Sequence, residues 1–206
     1  LPMAPASLRS PPPSVAGRAV HALDRRADAV FGEGSNPLRQ LGALAVWMFW
    51  VVLGTGAYLY IVFDTSASGA YSSIDTLSTQ QPWLGGLIRS LHRYASDGFA
   101  LLTALHVIRE WALGKYSGFR WFSWVSGVPL LWLALASGLI GYWLVADTRA
   151  LFVATGIGEW VGAMPGFGAG LMRNFITAEA VSDRLFSLLI FLHIGTALFI
   201  LLGLWI

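Results

Sequence analysis

The sequence predicts an all-α membrane protein: a transmembrane four-helix bundle with an N-terminal amphipathic surface helix and short helices in the outer loop between the third and fourth spans. Three observations carry that expectation. Hydrophobic residues make up 56% of the 206 positions and charged residues only 12%, a balance far from that of a soluble domain. Four apolar stretches, 41–63, about 86–112, 123–146 and 184–206, are each long enough at about 1.5 Å per residue to cross a hydrocarbon layer of roughly 30 Å. The basic residues alternate with the spans: Arg9, Arg18, Arg25, Arg26 and Arg39 precede the first and Lys115 and Arg120 follow the second, while 64–85 holds only Asp64 and Asp75. By the positive-inside rule the N-terminus is cytoplasmic, and the loops 64–85 and 147–183 lie outside.

Each element follows in order. Residues 1–14 (LPMAPASLRSPPPS) lack an initiator Met and the apolar core of a signal peptide, and read as a disordered, proline-rich cytoplasmic tail. The segment 15–35 holds a helix lying on the membrane surface, with Val15, Val20, Leu23 and Val30 among Arg and Asp, broken by GEGSNP. The bundle domain is 36–206, and its first and third spans carry no charge. The loop 147–183, glycine-rich at GAMPGFGAGL, is too long for a simple connection, and loops of that length usually carry function.

Several function classes are excluded at this stage. A net charge of +2 and a pI near 9.2 come from topology-sorted basic residues that form no patch, so nucleic acid is not a partner. The chain has no cysteine, which removes disulfides, iron–sulfur ligation and covalent haem attachment from within it. Its single lysine, Lys115, lies in a loop and cannot anchor retinal.

The second span reads GLIRSLHRYASDGFALLTALHVIRE from 86 to 110, and His92 and His106 stand fourteen residues apart in it. That interval is about 3.9 turns, so both imidazoles project from one face, roughly 21 Å apart along the axis. Ionisable residues inside a span are costly and mark function, and neutral imidazole is a strong iron ligand. His193, in the otherwise apolar fourth span, is available to face His92 or His106 from a neighbouring helix and complete a bis-histidine haem site, although a lone histidine in a span is more often a packing or proton-relay residue. Gly42 and Gly56 in the first span and Gly127 and Gly141 in the third repeat the same fourteen-residue interval, as a macrocycle wedged between helices would require. Arg89 lies three residues before His92 and Arg109 three after His106, hence toward the two surfaces, where an arginine fork suits haem propionates. Bland readings compete with each of these: interhelical hydrogen bonds for the histidines, small-residue packing for the glycines, and snorkelling for the arginines. His21, on the surface helix, takes no ligand role.

These residues resemble the N-terminal domain of cytochrome b from the quinol-oxidising bc complexes, as a divergent member. Gly86-Leu-Ile-Arg89-Ser-Leu-His92 followed by His106-Val-Ile-Arg109 is similar to that family's second-helix motif, G-x-x-R-x-x-H-x13-H-x-x-R. Gly127 to Gly141 with Tyr142 resembles its third helix, Thr55-Gly56 the end of its first, and 70–74 (AYSSI) its first outer loop, so the similarity runs from about residue 36 onward. The resemblance implies two non-covalent haem b groups. His92, His193, Gly56, Gly141 and Arg89 would serve the outer one, and His106, Gly42, Gly127 and Arg109 the cytoplasmic one. Its last ligand falls at 207, where the natural chain is expected to continue with histidine.

Two departures alter those expectations. The family places its fourth-helix histidine about five residues after an arginine resembling Arg184, whereas here Leu189 stands there and His193 follows at nine, which suggests a helix shifted by about one turn. After Gly141-Tyr142 the family's Pro-Trp-Gly is replaced by WLVADTR, which weakens standard outer-site quinol oxidation. Asp147, Glu159, Glu179 and Asp183 are the outer-loop carboxylates available as quinol proton acceptors, though such residues are usually just solvated. The leading expectation is therefore a di-haem electron carrier between quinol or quinone and redox subunits. Its partners would be of Rieske, ferredoxin or cytochrome c type, with a C-terminal cytochrome b subunit or domain, in a dimeric complex of the bacterial inner membrane. A haem-bearing anchor or conduit without a quinol site, and a non-redox interaction protein whose tryptophans line the interfaces, are the alternatives.

Overall fold

The computed structural model describes residues 14–166 and 182–204, so the tail expected at 1–14 lies almost wholly outside the described residues. Among them the secondary structure is helical throughout. Four long helices form the bundle: α2 (Leu41–Val62), α4 (Leu87–Ala112), α5 (Trp121–Trp143) and α7 (Asp183–Gly203). Three shorter ones, α1 (Val15–Phe31), α3 (Ala70–Thr79) and α6 (Thr148–Gly162), lie at its ends.

Among the described residues, three segments are long and apolar enough to cross a membrane: Pro37–Val62, Gly118–Trp143 and Asp183–Gly203. Helix α4 has the length, with 26 residues spanning about 39 Å, but carries Arg89, Arg93, Asp97, Arg109 and Glu110. It stands in the bundle because its apolar face is buried. Phe99 packs on Phe49 of α2 with ring centroids 5.1 Å apart, and both join Ala45, Ala134 of α5 and Ile200 of α7 in one core. All four long helices therefore contribute to a single apolar layer at mid-height. Most other large apolar side chains point outward, as helices facing lipid require.

The end structures are more ordered than a sequence reading of plain loops predicts. The connection from α2 to α4 contains α3 and a π-helical turn, Pro82–Gly86, with Gly85 buried so closely on Leu77 that a Cβ would meet Leu77 Cδ2 at 2.6 Å. At the α5–α6 corner Ala146 adopts φ 53°, a left-handed conformation that costs a residue with a Cβ about 1–2 kcal/mol, and it is buried against Phe186 and Ala70. Short helices were expected in the α5–α7 loop, and α6 is one of them. The rest of the glycine-rich stretch, 167–181, lies outside the described residues.

Helix α1 meets the bundle on the side away from its periodic apolar residues. Its periodic apolar residues Val15, Leu23 and Val30 are exposed, whereas Gly17 and Asp24 are buried. The helix docks through polar bonds. Ser14 caps it by accepting from Gly17 N–H at 3.0 Å and donates to the Ala112 carbonyl of α4 at 3.3 Å. Asn36, fully buried, donates to the Asp24 carbonyl at 3.2 Å and to Asp28 at 2.7 Å, and Arg39 grips Asp28 at 2.7 Å.

Hydrogen bonds first from Arg39 and then from Asn36 hold the Asp28 carboxyl below the usual aspartate range. A lowered folded-state pKa means that the contact's contribution is complete above the unfolded value and is lost as pH falls through the folded one. NMR titration should place the Asp28 midpoint below about 3.9, the ordinary aspartate value, and Arg39→Ala should return it toward that value. An unmoved midpoint in the variant would show that the fork is not holding the charge.

Candidate functional site

Two histidines from different helices meet near one end of the bundle. His92 of α4 and His193 of α7 have ring centroids 6.2 Å apart with planes at 66°. Each ring is anchored through Nδ1 to a helix backbone. His92 Nδ1 lies 3.1 Å from the Val52 carbonyl and 3.1 Å from Thr55 Oγ1, whose hydroxyl donates to Val51 O at 2.6 Å. His193 Nδ1 lies 2.9 Å from the Ser137 carbonyl and 3.2 Å from Ser137 Oγ. A carbonyl oxygen can only accept, so in each neutral ring the proton sits on Nδ1 and Nε2 keeps its lone pair.

The glycines explain how imidazoles reach helix carbonyls. A Cβ built on Gly56 would lie 3.1 Å from His92 Cε1, and one on Gly141 would lie 2.8 Å from His193 Cε1. Val52 and Ser137 each precede their glycine by four residues, so each carbonyl is the one paired within the helix to that glycine's N–H. A side chain at either glycine would lift the ring off its acceptor. The pairing also settles the register of the last span: His193, and not Leu189, faces Gly141 and His92, while Leu189 is buried.

A second cluster lies toward the opposite end. His106 rests on Gly42 of α2, with its Cε1 3.1 Å from the Cβ position, and its ring has no hydrogen-bond partner among the described residues. Gly127 has nothing within 4 Å of its Cβ position, so α5 leaves open space there. The fourteen residues from His92 to His106 separate the clusters by about 21 Å along α4, with the Phe49–Phe99 layer between them.

The arginines have protein partners. Arg89 donates to Ser78 of α3 at 3.0 Å. Arg109 forms a two-pronged bond with Asp24 of α1, at 2.8 and 2.9 Å, with side chains 14% and 5% exposed respectively. Of the outer carboxylates, Asp147 caps α6 by accepting from Ala150 N–H at 2.7 Å, and Asp183 accepts from Ala67 N–H at 2.9 Å. Glu159 is exposed on α6, and Glu179 lies outside the described residues.

Sequence reasoning missed Thr55, Ser137, Asp24 and two tryptophans. The buried indole N–H groups of Trp124 and Trp143 have no acceptor among the described residues, and they stand three residues before Gly127 and two after Gly141. Unsatisfied buried donors are rare, and here both flank a cradle glycine toward a helix end. The signal for Val52 and Ser137 was available in the four-residue offset from the glycines; nothing local marks Asp24 as buried.

The sequence model of the family Cytochrome b/b6/petB matches residues 34–206. Among curated relatives, cytochrome b6 from Chlamydomonas reinhardtii is 28% identical over 167 residues, covering 79% of this chain and 77% of that protein.

Proposed function

The chain belongs to the cytochrome b/b6 family, and from that premise we propose that it is a di-haem b-type cytochrome passing electrons across the membrane between quinol or quinone and the redox subunits of a bc-type complex. The observation that carries this reading is the facing pair His92 and His193, each with Nδ1 on a backbone carbonyl beside a glycine. The two rings, 6.2 Å apart, would hold one iron between them.

The residues fit haem b. His92 and His193 would ligate one group through Nε2, with Gly56 and Gly141 beside them. His106 would ligate the other, with Gly42 and the open side of Gly127 beside it. The indoles of Trp143 and Trp124 lack acceptors that propionate carboxylates would supply. Arg89 would join the first set. Arg109 keeps further N–H donors for the second, since Asp24 engages only one from each terminal nitrogen.

When bound, haem supplies the one-electron chemistry. The protein's part is to hold each imidazole in one tautomer and orientation. An Nδ1–H bonded to a carbonyl makes the opposite nitrogen a stronger donor, and the apolar bundle keeps water from the metal position. The chain would sit in a bacterial inner membrane with its N-terminus cytoplasmic. A C-terminal cytochrome b unit and Rieske, ferredoxin or cytochrome c type subunits would be its partners. A second reading, a haem-bearing conduit without a quinol site, draws support from Asp147 and Asp183, whose carboxylates are engaged in holding loops.

Pyridine haemochrome assay of the full-length protein purified from its native membrane tests the proposal. Two b-type haems per chain are expected; one or none would refute it. Gly127→Leu fills space that is open in the protein itself, and should cost one haem while leaving the helical content unchanged.

A further inference from the structure

The two arginines that flank the histidines of α4 have partners of different charge. Arg89 donates to the neutral hydroxyl of Ser78, and no carboxylate pairs with it among the described residues. Arg109 is clamped by the Asp24 carboxylate at 2.8 and 2.9 Å. That carboxylate comes from α1, a helix at the end of the bundle, and is almost wholly withdrawn from solvent. Asn36, itself fully buried, fixes it from behind by donating to the Asp24 carbonyl at 3.2 Å. Anchoring α1 does not by itself call for such a pair, since well-packed apolar residues in place of a buried ion pair are often no less stable.

The pair stands beside the cytoplasmic ligand position, because His106 and Arg109, three residues apart on α4, are neighbours on one face. Glu110, the other carboxylate of that helix end, is already matched by Lys115 at 3.0 Å and Arg120 at 3.9 Å. Resting on the di-haem reading above, we propose that Asp24 sets the redox potential of the cytoplasmic haem, by holding Arg109 in one orientation beside His106 and cancelling the guanidinium charge there. Reduction adds one electron to a haem, so a nearby positive charge favours the reduced form and a negative charge the oxidised form. With Asp24 in place the two charges sum to zero. Without it the site keeps a full positive charge, little screened because both side chains are nearly out of solvent. Asp24 engages one N–H from each terminal nitrogen, so guanidinium donors remain for a propionate. Asp24 is thus a positioning residue that acts on the haem through Arg109. The effect falls with distance, and the outer haem, whose ligand His92 lies about 21 Å further along α4, is moved much less.

Equilibrium redox titration of the haem absorbance, on the full-length holoprotein in native membranes, reads both midpoints. Asp24→Asn keeps an acceptor for Arg109 and removes the charge; it should shift the cytoplasmic midpoint upward and leave the outer one in place. Asp24→Glu, which keeps the charge, should stay near the wild type. In a His106→Ala background, where the outer haem remains, Asp24→Asn should move nothing, and in a His193→Ala background the upward shift should persist. Trypsin, probing Arg25–Arg26 in the same samples, reports whether α1 is still docked. An unmoved cytoplasmic midpoint in Asp24→Asn, an equal shift in Asp24→Glu, or a shift confined to protein that trypsin now cuts in α1 would each overturn the proposal. If Asp24→Asn does not accumulate, Asp24→Ser replaces it; failure of both to accumulate with two haems would reduce Asp24 to an anchor for α1 and overturn the proposal equally. Absence of haem from the wild-type protein would instead refute the di-haem reading, which separates the two failures.

Discussion

Replacing His193 with alanine is expected to remove one b-type haem and leave the other, halving the dithionite-reduced minus oxidised absorbance per chain. The structure gives the reason. His193 reaches across to His92 and is held by Ser137, while His106 lies about 21 Å further along α4 with Gly42 and touches neither. His92→Ala should therefore produce the same half-loss, and His106→Ala should remove the other half. Leu189→Met provides the register control. Leu189 occupies the position the family's spacing assigns to the ligand, yet it is buried in packing, and a volume-conserving exchange there should keep both haems at a cost below about 1.5 kcal/mol. If Leu189 variants lost a haem while His193→Ala kept both, the observed pairing would be wrong.

The second large effect is expected at Asp24. Its carboxylate and the Arg109 guanidinium are both nearly out of solvent and share two hydrogen bonds, so Asp24→Ala leaves an arginine buried without its counter-charge. Removing one member of such a pair typically costs about 3–5 kcal/mol. Because α1 buries little apolar surface, that loss should free it from the bundle, which trypsin would report as rapid cleavage at Arg25–Arg26. The paired change Asp24→Leu/Arg109→Leu should cost much less than either single replacement, since no orphaned charge remains. Equal costs for the single and double variants would mean that α1 is held by the Asn36 and Ser14 contacts instead.

Much of the architecture was legible because its causes are local. Apolar runs of about twenty residues, two of them free of charge, mark the spans, and the four long helices fall within a few residues of those runs. The fourteen-residue spacing placed His92 and His106 on one face of α4, and the structure sets Gly56, Gly42 and Gly141 against histidine rings. The outer-loop carboxylates were less legible: Asp147 and Asp183 tie down loop backbone, a role set by which N–H groups lie near them.

The sequence by itself determined the membrane class, the four long helices and where imidazoles stand along them, since composition and periodicity act through bonds and solvent contacts within one helix. Only the tertiary structure decided which residues meet across helices. It selected His193 over Leu189, handed Val52 and Ser137 carbonyls to the imidazoles, left the Trp124 and Trp143 indoles without acceptors, and buried Asp24 under Arg109. Those outcomes depend on the relative rotation and translation of packed helices, and no periodicity along a single chain encodes that.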